Sequence, residues 1–280
     1  MKRLENKMAI ITGGADGIGK ATAIRFAQEG AVAIIWDLNQ EKGERLVEDI
    51  RSDGGNADFY KVNTADYQQV ETSATAVAEK YGKIDILINN AGMGITGPIE
   101  ETPTDEMRNV FETNFFGPIE MMKAVLPQMR KQNSGLVINV TSIAGYMGLP
   151  FRGIYSATKG ALEIVTESIR MEVKGFGIEV TNVAPGDFAT NIASGRYHTP
   201  VFENSSYKED YQKNLDLMNV HVDSGSNPIQ MAEAIYKIIN TSKPNIHYKV
   251  GDFMQKFSII LKRILPDKVY EKMLMNHYKL

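Results

Sequence analysis

Short β-branched runs alternate with longer amphipathic stretches through most of this chain, and that alternation limits its fold more than any other feature. Met8 to Thr12, Val32 to Trp36, Phe59 to Val62, Ile84 to Asn89, Gly135 to Thr141 and Ile178 to Val183 read as buried strands, because strands covered on both faces carry apolar side chains at successive positions. Helix-length segments lie between them, and a strand that returns through a helix runs parallel to its predecessor. The expected fold is therefore α/β, a doubly wound parallel sheet in three layers. At 280 residues and 43% hydrophobic content the chain suffices for one core, so residues 1–280 are expected to form a single domain. Local signals place helix ends: Thr102 as a cap with Pro103 in the first position and Asp105 in the first turn, and Gly30, Gly82 and Gly175 as stops. Two regions depart from the rhythm. Residues 187–227 are expected to form a substrate loop or lid, and residues 251–280 an amphipathic tail.

The bulk properties remove several functions. A formal net charge of -3 and a pI near 5.9, with basic residues spread along the chain, give no general attraction to nucleic acid. No apolar run reaches the roughly 18 residues of a membrane span, and Met1-Lys2-Arg3-Leu4-Glu5 leads straight toward a strand. A cytoplasmic location is expected. With no cysteine and four scattered histidines, neither a thiolate nucleophile nor a metal site is expected.

The first strand runs into Thr12-Gly13-Gly14-Ala15-Asp16-Gly17-Ile18-Gly19, followed by an amphipathic segment from Lys20 to Glu29. Strand, glycine turn and helix come in the order a pyrophosphate site needs. Gly13 permits the tight turn, Gly17 lets the backbone approach the phosphates, and Gly19 lets the helix sit close to the sheet. Asp37, at the end of the second strand, can accept hydrogen bonds from both hydroxyls of an adenosine ribose. It would repel a 2′-phosphate, and Asp16 is expected to add a second negative charge there. NAD(H) is thus the expected cofactor and NADP(H) the poorer one.

Farther along lie Asn89-Asn90-Ala91-Gly92, Asn114, Ser142 and Tyr155-Ser156-Ala157-Thr158-Lys159. Tyr155 and Lys159 are four residues apart, so on a helix both project from one face. An ammonium beside a phenol favours the phenolate, which suits the tyrosine to act as acid or base. The Ser142 hydroxyl, at a strand end, can hold a substrate oxygen, and Lys159 can also reach a cofactor ribose.

This ordered set resembles the short-chain dehydrogenase/reductase family over about Asn6 to Thr190. The motifs are TGGADGIG, NNAG, the Asn114 position, Ser142 followed by Ala144-Gly145, YSATK, and Pro185-Gly186 ahead of Thr190. The resemblance implies a catalytic tetrad of Asn114, Ser142, Tyr155 and Lys159. Tyr155 would exchange the substrate proton, Ser142 would orient the carbonyl, Lys159 would hold the ribose, and Asn114 would keep a proton-relay water. It further implies that Asn90 and Ala91, with Gly92 in the same motif, lie beside the adenosine ribose, that Pro185, Gly186 and Thr190 meet the nicotinamide carboxamide, and that the sheet is a Rossmann variant ordered 3-2-1-4-5-6-7. Family members are commonly homodimers or homotetramers.

Two departures stand out. Asn63-Thr64 follows the third strand where many relatives have Asp-Val, so Asn63 is the expected adenine partner, with weakened selectivity. The first ninety residues are similar to 3-oxoacyl-carrier-protein-reductase-like members, whereas the chain from Ile95 onward is similar to steroid- and retinol-dehydrogenase-like members. The expected substrate is a small lipophilic secondary alcohol or ketone of steroid, retinoid or acyl type, under a lid carrying Phe188, Ile192, Tyr197, Phe202, Tyr207 and Tyr211. In the tail, Phe253, Phe257, Ile260, Leu261, Ile264 and Leu265 recur at helical spacing among lysines, which suits cleft or subunit packing better than a membrane surface. The alternative is a regulatory relative that binds NAD without catalysis; the filled tetrad favours an enzyme.

Overall fold

The computed structural model describes residues 2–189, 195–223 and 225–280, and the backbone alone for 219–223. Seven parallel strands form the central sheet: β1 (Met8–Thr12), β2 (Val32–Asp37), β3 (Asn56–Lys61), β4 (Ile86–Asn89), β5 (Gly135–Val140), β6 (Ile178–Pro185) and β7 (His247–Val250). Their order is β3-β2-β1-β4-β5-β6-β7, as expected; two further two-residue strands, Ile95–Thr96 and Tyr197–His198, pair separately in parallel. Register follows the pattern of side chains. Ile10 lies opposite Ile34 on one side and Leu87 on the other, so apolar residues stack across the sheet.

The doubly wound arrangement follows from period-two alternation along strands that are apolar at every position. Ala9, Ile11, Ala33 and Ile35 face one layer, built by α1 (Gly17–Gln28), α2 (Gln40–Ser52) and, after α7 (Lys208–Asp223), α8 (Pro228–Ile239). Ile10, Ile34 and Trp36 face the other, built by α3 (Tyr67–Tyr81), α5 (Gly117–Gln132) and the long α6 (Gly153–Val173). Each fully buried Ile or Leu contributes about 1.5–3 kcal/mol. α3 buries Val70, Ala74 and Val77 at helical spacing, starts where Asp66 accepts from Gln68 N and Gln69 N, and stops at left-handed Gly82.

Several local expectations need correction. Thr102 does not cap α4 (Thr104–Phe111), which starts after Pro103 without a side-chain cap. Its buried hydroxyl donates instead to the Pro98 carbonyl at 2.7 Å and lies 2.8 Å from Thr199 Oγ1. The chain after α6 turns at Gly177, with φ of 69°, not at Gly175. β3 begins earlier than its apolar stretch, because backbone pairing with β2 runs from Val32↔Asn56 and an edge strand needs fewer apolar side chains. β7 has no apolar run at all, since it pairs with β6 alone. In the tail, α9 (Phe253–Ile264) and α10 (Asp267–Tyr278) form two helices. Ile259 and Tyr270 are the buried anchors, packed on Ile143, Met147 and Ala184, whereas Phe253, Ile260 and Ile264 are exposed. Helical spacing defined a face; tertiary contact selected a neighbouring one.

Candidate active site

The first turn is built around close backbone approach. Gly13 and Gly17 have φ of 60° and 51°, and a Cβ on Gly19 would stand 2.0 Å from the Gly13 carbonyl oxygen, so the turn accepts no side chain there. Asp16 caps α1 by accepting from Gly17 N. Asp37 is held by Ala15 N and Asn39 N, at 3.0 and 2.9 Å, which fixes its carboxylate beside the turn. The expected second repulsive charge is compensated: Lys42 Nζ pairs with Asp16 Oδ2 at 2.5 Å. Asp16 therefore weighs less against a 2′-phosphate than its charge suggested. The same contact raises the Lys42 pKa. Asn63 is bound locally, its Oδ1 accepting from Ala65 N.

The end of β4 is stitched to this turn. Thr12 Oγ1 accepts from Asn90 N and Ala91 N, and Asn90 Nδ2 donates to the Thr12 and Gly13 carbonyls. Asn90 thus shapes the turn from behind. Gly92 is closely approached, because a Cβ there would stand 3.1 Å from Asn114 Oδ1 and 3.4 Å from Lys159 Nζ.

Asn114 lies in a π-helical turn, Glu112–Phe116, and is fully buried. Its amide accepts from Met93 N and donates to Met93 O, both at 2.9 Å, with a further bond to Thr158 Oγ1. It thereby clamps the segment after Gly92 onto α6. Ser142 follows β5 and accepts from Ala144 N to start the 3-10 turn Ile143–Tyr146. Tyr155 and Lys159 sit one turn apart on α6. Lys159 Nζ donates to the Val140 carbonyl at 3.0 Å, and burial lowers its pKa, partly opposed by Tyr155.

Ser142, Tyr155 and Lys159 open into one cavity of about 530 Å³. Ile18 from α1, Asn90, Gly92, Ser142, Tyr155, Lys159, Pro185 and Gly186 line it together. Elements distant in sequence thus deliver these expected residues to one volume, whereas Gly13, Asp16, Gly17, Gly19, Asp37, Asn63, Ala91 and Asn114 are not part of its wall; Thr190 lies outside the described residues. The other wall is apolar, from Met147, Leu149, Leu261, Met273 and Leu274. The loop after β6 contributes Phe188 and Met218. Part of that excursion is tied to the body at Tyr211, which is buried and donates its hydroxyl toward the Thr96 and Thr199 carbonyls. Arg152 and Arg196 also line the cavity, and sequence reasoning missed both, because no spacing relates Arg196 to Tyr155.

Among the described residues there is no group of three or more acidic, His or Cys side chains that could hold a metal, and no helix is long and apolar enough to cross a membrane. The family model for short chain dehydrogenases matches residues 7–200. The chain belongs to the short-chain dehydrogenase family. Among curated short-chain dehydrogenase relatives, a Bacteroides thetaiotaomicron protein named 3-ketodihydrosphingosine reductase is 33% identical over 98% of this chain and 99% of its own. Dehydrogenase/reductase SDR family member 7B of Bos taurus is 30% identical over 96% of this chain and 81% of its own. A 3-oxoacyl-[acyl-carrier-protein] reductase of Thermotoga maritima is 37% identical, over 67% of this chain and 76% of its own. The crystal structure of a short-chain dehydrogenase from Streptomyces avermitilis superposes with a TM-score of 0.82 at 30% identity, covering 98% of this chain and 96% of that one. Both kinds of likeness seen in the sequence, to acyl-carrier-protein reductases and to longer members, are thus present among the relatives. As a short-chain dehydrogenase the protein is an oxidoreductase.

Proposed function

We propose that this short-chain dehydrogenase transfers hydride between NAD(H) and a lipophilic secondary alcohol or ketone, with Asn114, Ser142, Tyr155 and Lys159 as its catalytic machinery. The observation that carries this reading is the single cavity joining the first turn of α1, the Tyr155–Lys159 face of α6 and the apolar wall from α9 and α10. The residues present fit a dinucleotide: the turn takes positive φ at Gly13 and Gly17 and has no space for a side chain at Gly19, the N-terminus of α1 suits a pyrophosphate, and Asp37, at the end of β2, would read the ribose. Pro185, Gly186 and Thr190 would border the nicotinamide, which supplies or accepts the hydride when bound.

The protein's own part is proton transfer and orientation. Tyr155 donates its phenolic proton to the alkoxide oxygen during reduction and takes it back during oxidation. Lys159, fixed by the Val140 carbonyl, stabilises the charge that develops on the Tyr155 oxygen and reaches the ribose. Ser142 holds the substrate oxygen through its hydroxyl. Asn114 acts through position: its side chain is wholly engaged with Met93 and Thr158, so its contribution is the shape of the α4–α6 junction and any water held there.

The apolar wall supports a lipid-like substrate, and the relative named for a ketodihydrosphingosine supports a long-chain ketone. NAD(H) is preferred because Asp37 is held by backbone groups, Ala15 N and Asn39 N, which leave its negative charge in place against a 2′-phosphate. The fold alone does not choose, since similar structures are in complex with NAD or with NADP. Ile164 and Met171, exposed on α6, support assembly as a dimer or tetramer through that helix. The test is a panel of secondary alcohols and ketones of graded chain length, assayed with NAD(H) and NADP(H) in parallel. The reading expects kcat/KM to rise with chain length and NADH to be the better reductant; no turnover of any member with either cofactor would overturn it.

A further inference from the structure

The cavity holds an imbalance of charge that proton and hydride transfer leave unexplained. Arg196 enters from the segment before Tyr197–His198, and its stem lies over Gly94, where a Cβ would come within 2.9 Å of Arg196 Cγ. The missing side chain at Gly94 therefore makes room for the arginine. Arg196 Nη1 is buried with no hydrogen-bond partner, and no carboxylate among the described residues forms an ion pair with it. Arg152, just ahead of α6, places its guanidinium carbon 5.5 Å from the centre of the Tyr155 ring and lies within reach of the Tyr278 hydroxyl. Burial, and then the repulsion of Arg152, push the Arg196 pKa down to about 10, which still leaves it charged at neutral pH.

Asp187 is the carboxylate of the same cavity that acts on Arg196, and it does so at a distance, without forming an ion pair. Asp187 accepts from Gln255 Nε2 at 2.8 Å, and Asp252 caps α9 through a reciprocal capping box with Gln255. A buried guanidinium nitrogen without a hydrogen-bond partner is costly, and the planar fork of donors matches a two-oxygen anion. Beyond the arginines the wall becomes apolar at Met147, Leu149, Leu261, Met273 and Leu274.

We infer that Arg196, assisted by Arg152, forms an oxyanion subsite beside Tyr155, so that the ligand is an amphiphile bearing a carboxylate or phosphate close to its oxo group and an alkyl chain directed toward α9 and α10. The inference rests on the proposed function for the oxo group, and on the cavity alone for the anion. It narrows the substrate class from lipophilic ketones in general to anionic ones and disfavours amines, so that it parts from an amino ketone such as a ketodihydrosphingosine and keeps only the long chain and the oxo group.

Binding is measured first, without chemistry, on the full-length protein saturated with NADH. The probes are dodecanoate, dodecyl phosphate, methyl dodecanoate and dodecylamine, and the readout is Kd by calorimetry or NADH fluorescence. At least one of the two anions should bind about 10-fold or more tighter than the ester, the advantage expected of a charge-assisted hydrogen bond, and the amine weaker still. A preference for dodecanoate assigns a carboxylate; a preference for dodecyl phosphate assigns a phosphate. Arg196→Gln should abolish the advantage of the anions over the ester, and Arg196→Lys should retain part of it. Arg152→Gln should reduce it independently of any folding defect at Arg196. Equal Kd values for anions, ester and amine in the unmodified protein would overturn the subsite, as would an anion preference that survives in Arg196→Gln. The reductive reading is separated by a second measurement, NADH oxidation with 4-oxododecanoate and with its methyl ester. Tight anion binding without turnover of either ketone would retain the subsite and reject the proposed reaction; turnover with equal kcat/KM for acid and ester would do the reverse.

Discussion

Lys159 donates from Nζ to the carbonyl oxygen of Val140 at 3.0 Å, so the lysine one helical turn from Tyr155 is anchored to the end of the strand leading into Ser142. One hydrogen bond thereby couples the position of the helix that carries Tyr155 to that of Ser142.

This buried lysine gives the protein an alkaline signature. Burial lowers its folded-state pKa below the usual lysine value. Between the folded and unfolded pKa values the unfolded chain binds more protons, so the contribution of Lys159 to stability rises with pH through that window and levels off above the unfolded pKa, about 10.4. Lys159→Met should remove this rise. Thermal unfolding of both proteins across the alkaline range checks it: the difference in Tm should change with pH in favour of the unmodified protein, and a constant difference would count against it. Lys159→Ala should also weaken both turnover and NADH binding.

Tyr155→Phe keeps the ring that packs with Ile95, Val110 and Ala144 and removes only the transferable proton. Turnover should fall by about 100-fold or more with cofactor binding nearly intact. Steady-state kinetics alongside NADH fluorescence titration separate the two, and a variant retaining most of its kcat would remove Tyr155 from the mechanism.

Cofactor choice should respond to Asp37 more than to Asp16, because Asp16 is neutralised by Lys42. Asp37→Ser combined with Leu38→Arg should shift the ratio of kcat/KM toward NADP by at least about 10-fold, the scale expected when a favourable charge pair replaces a repulsion. Asp16→Asn alone should move it much less. Equal use of NAD and NADP by the unmodified enzyme would refute the assigned role of Asp37.

The tail should matter for large substrates. Truncation after Lys249 removes Val250 of β7 together with α9 and α10, uncovering Ile143 and Met147 and opening the apolar wall. KM for a long-chain ketone should rise at least about 10-fold relative to a short one, as expected for losing cover over two or more methylenes, while NADH affinity changes little. Met273→Asp, on the cavity side of α10, tests the same point if the truncated chain folds poorly. Unchanged discrimination between long and short ketones in both variants would show that the tail does not shape the site.

Local physics made the sheet and the Tyr155–Lys159 pair legible. An apolar strand covered on both faces needs no partner to be recognised, and Tyr155 and Lys159 share a face because a helix repeats every 3.6 residues. The glycine turn was equally readable, since positive φ at Gly13 and Gly17 is a property of the residue itself. The edge strand β7 was not, because an edge leaves half its surface to solvent and carries no periodic mark. The buried side of α9, the pairing of Asp16 with Lys42, and the entry of Arg196 over Gly94 were decided only by the tertiary structure. Each depends on segments brought together across many residues, where the free energy lies in who becomes the neighbour and nothing in the spacing of either segment records it. The amino-acid sequence alone therefore determined the fold and the shared helical face of Tyr155 and Lys159; the folded chain decided which side chains meet in the cavity, Arg196 and its unpartnered Nη1 among them.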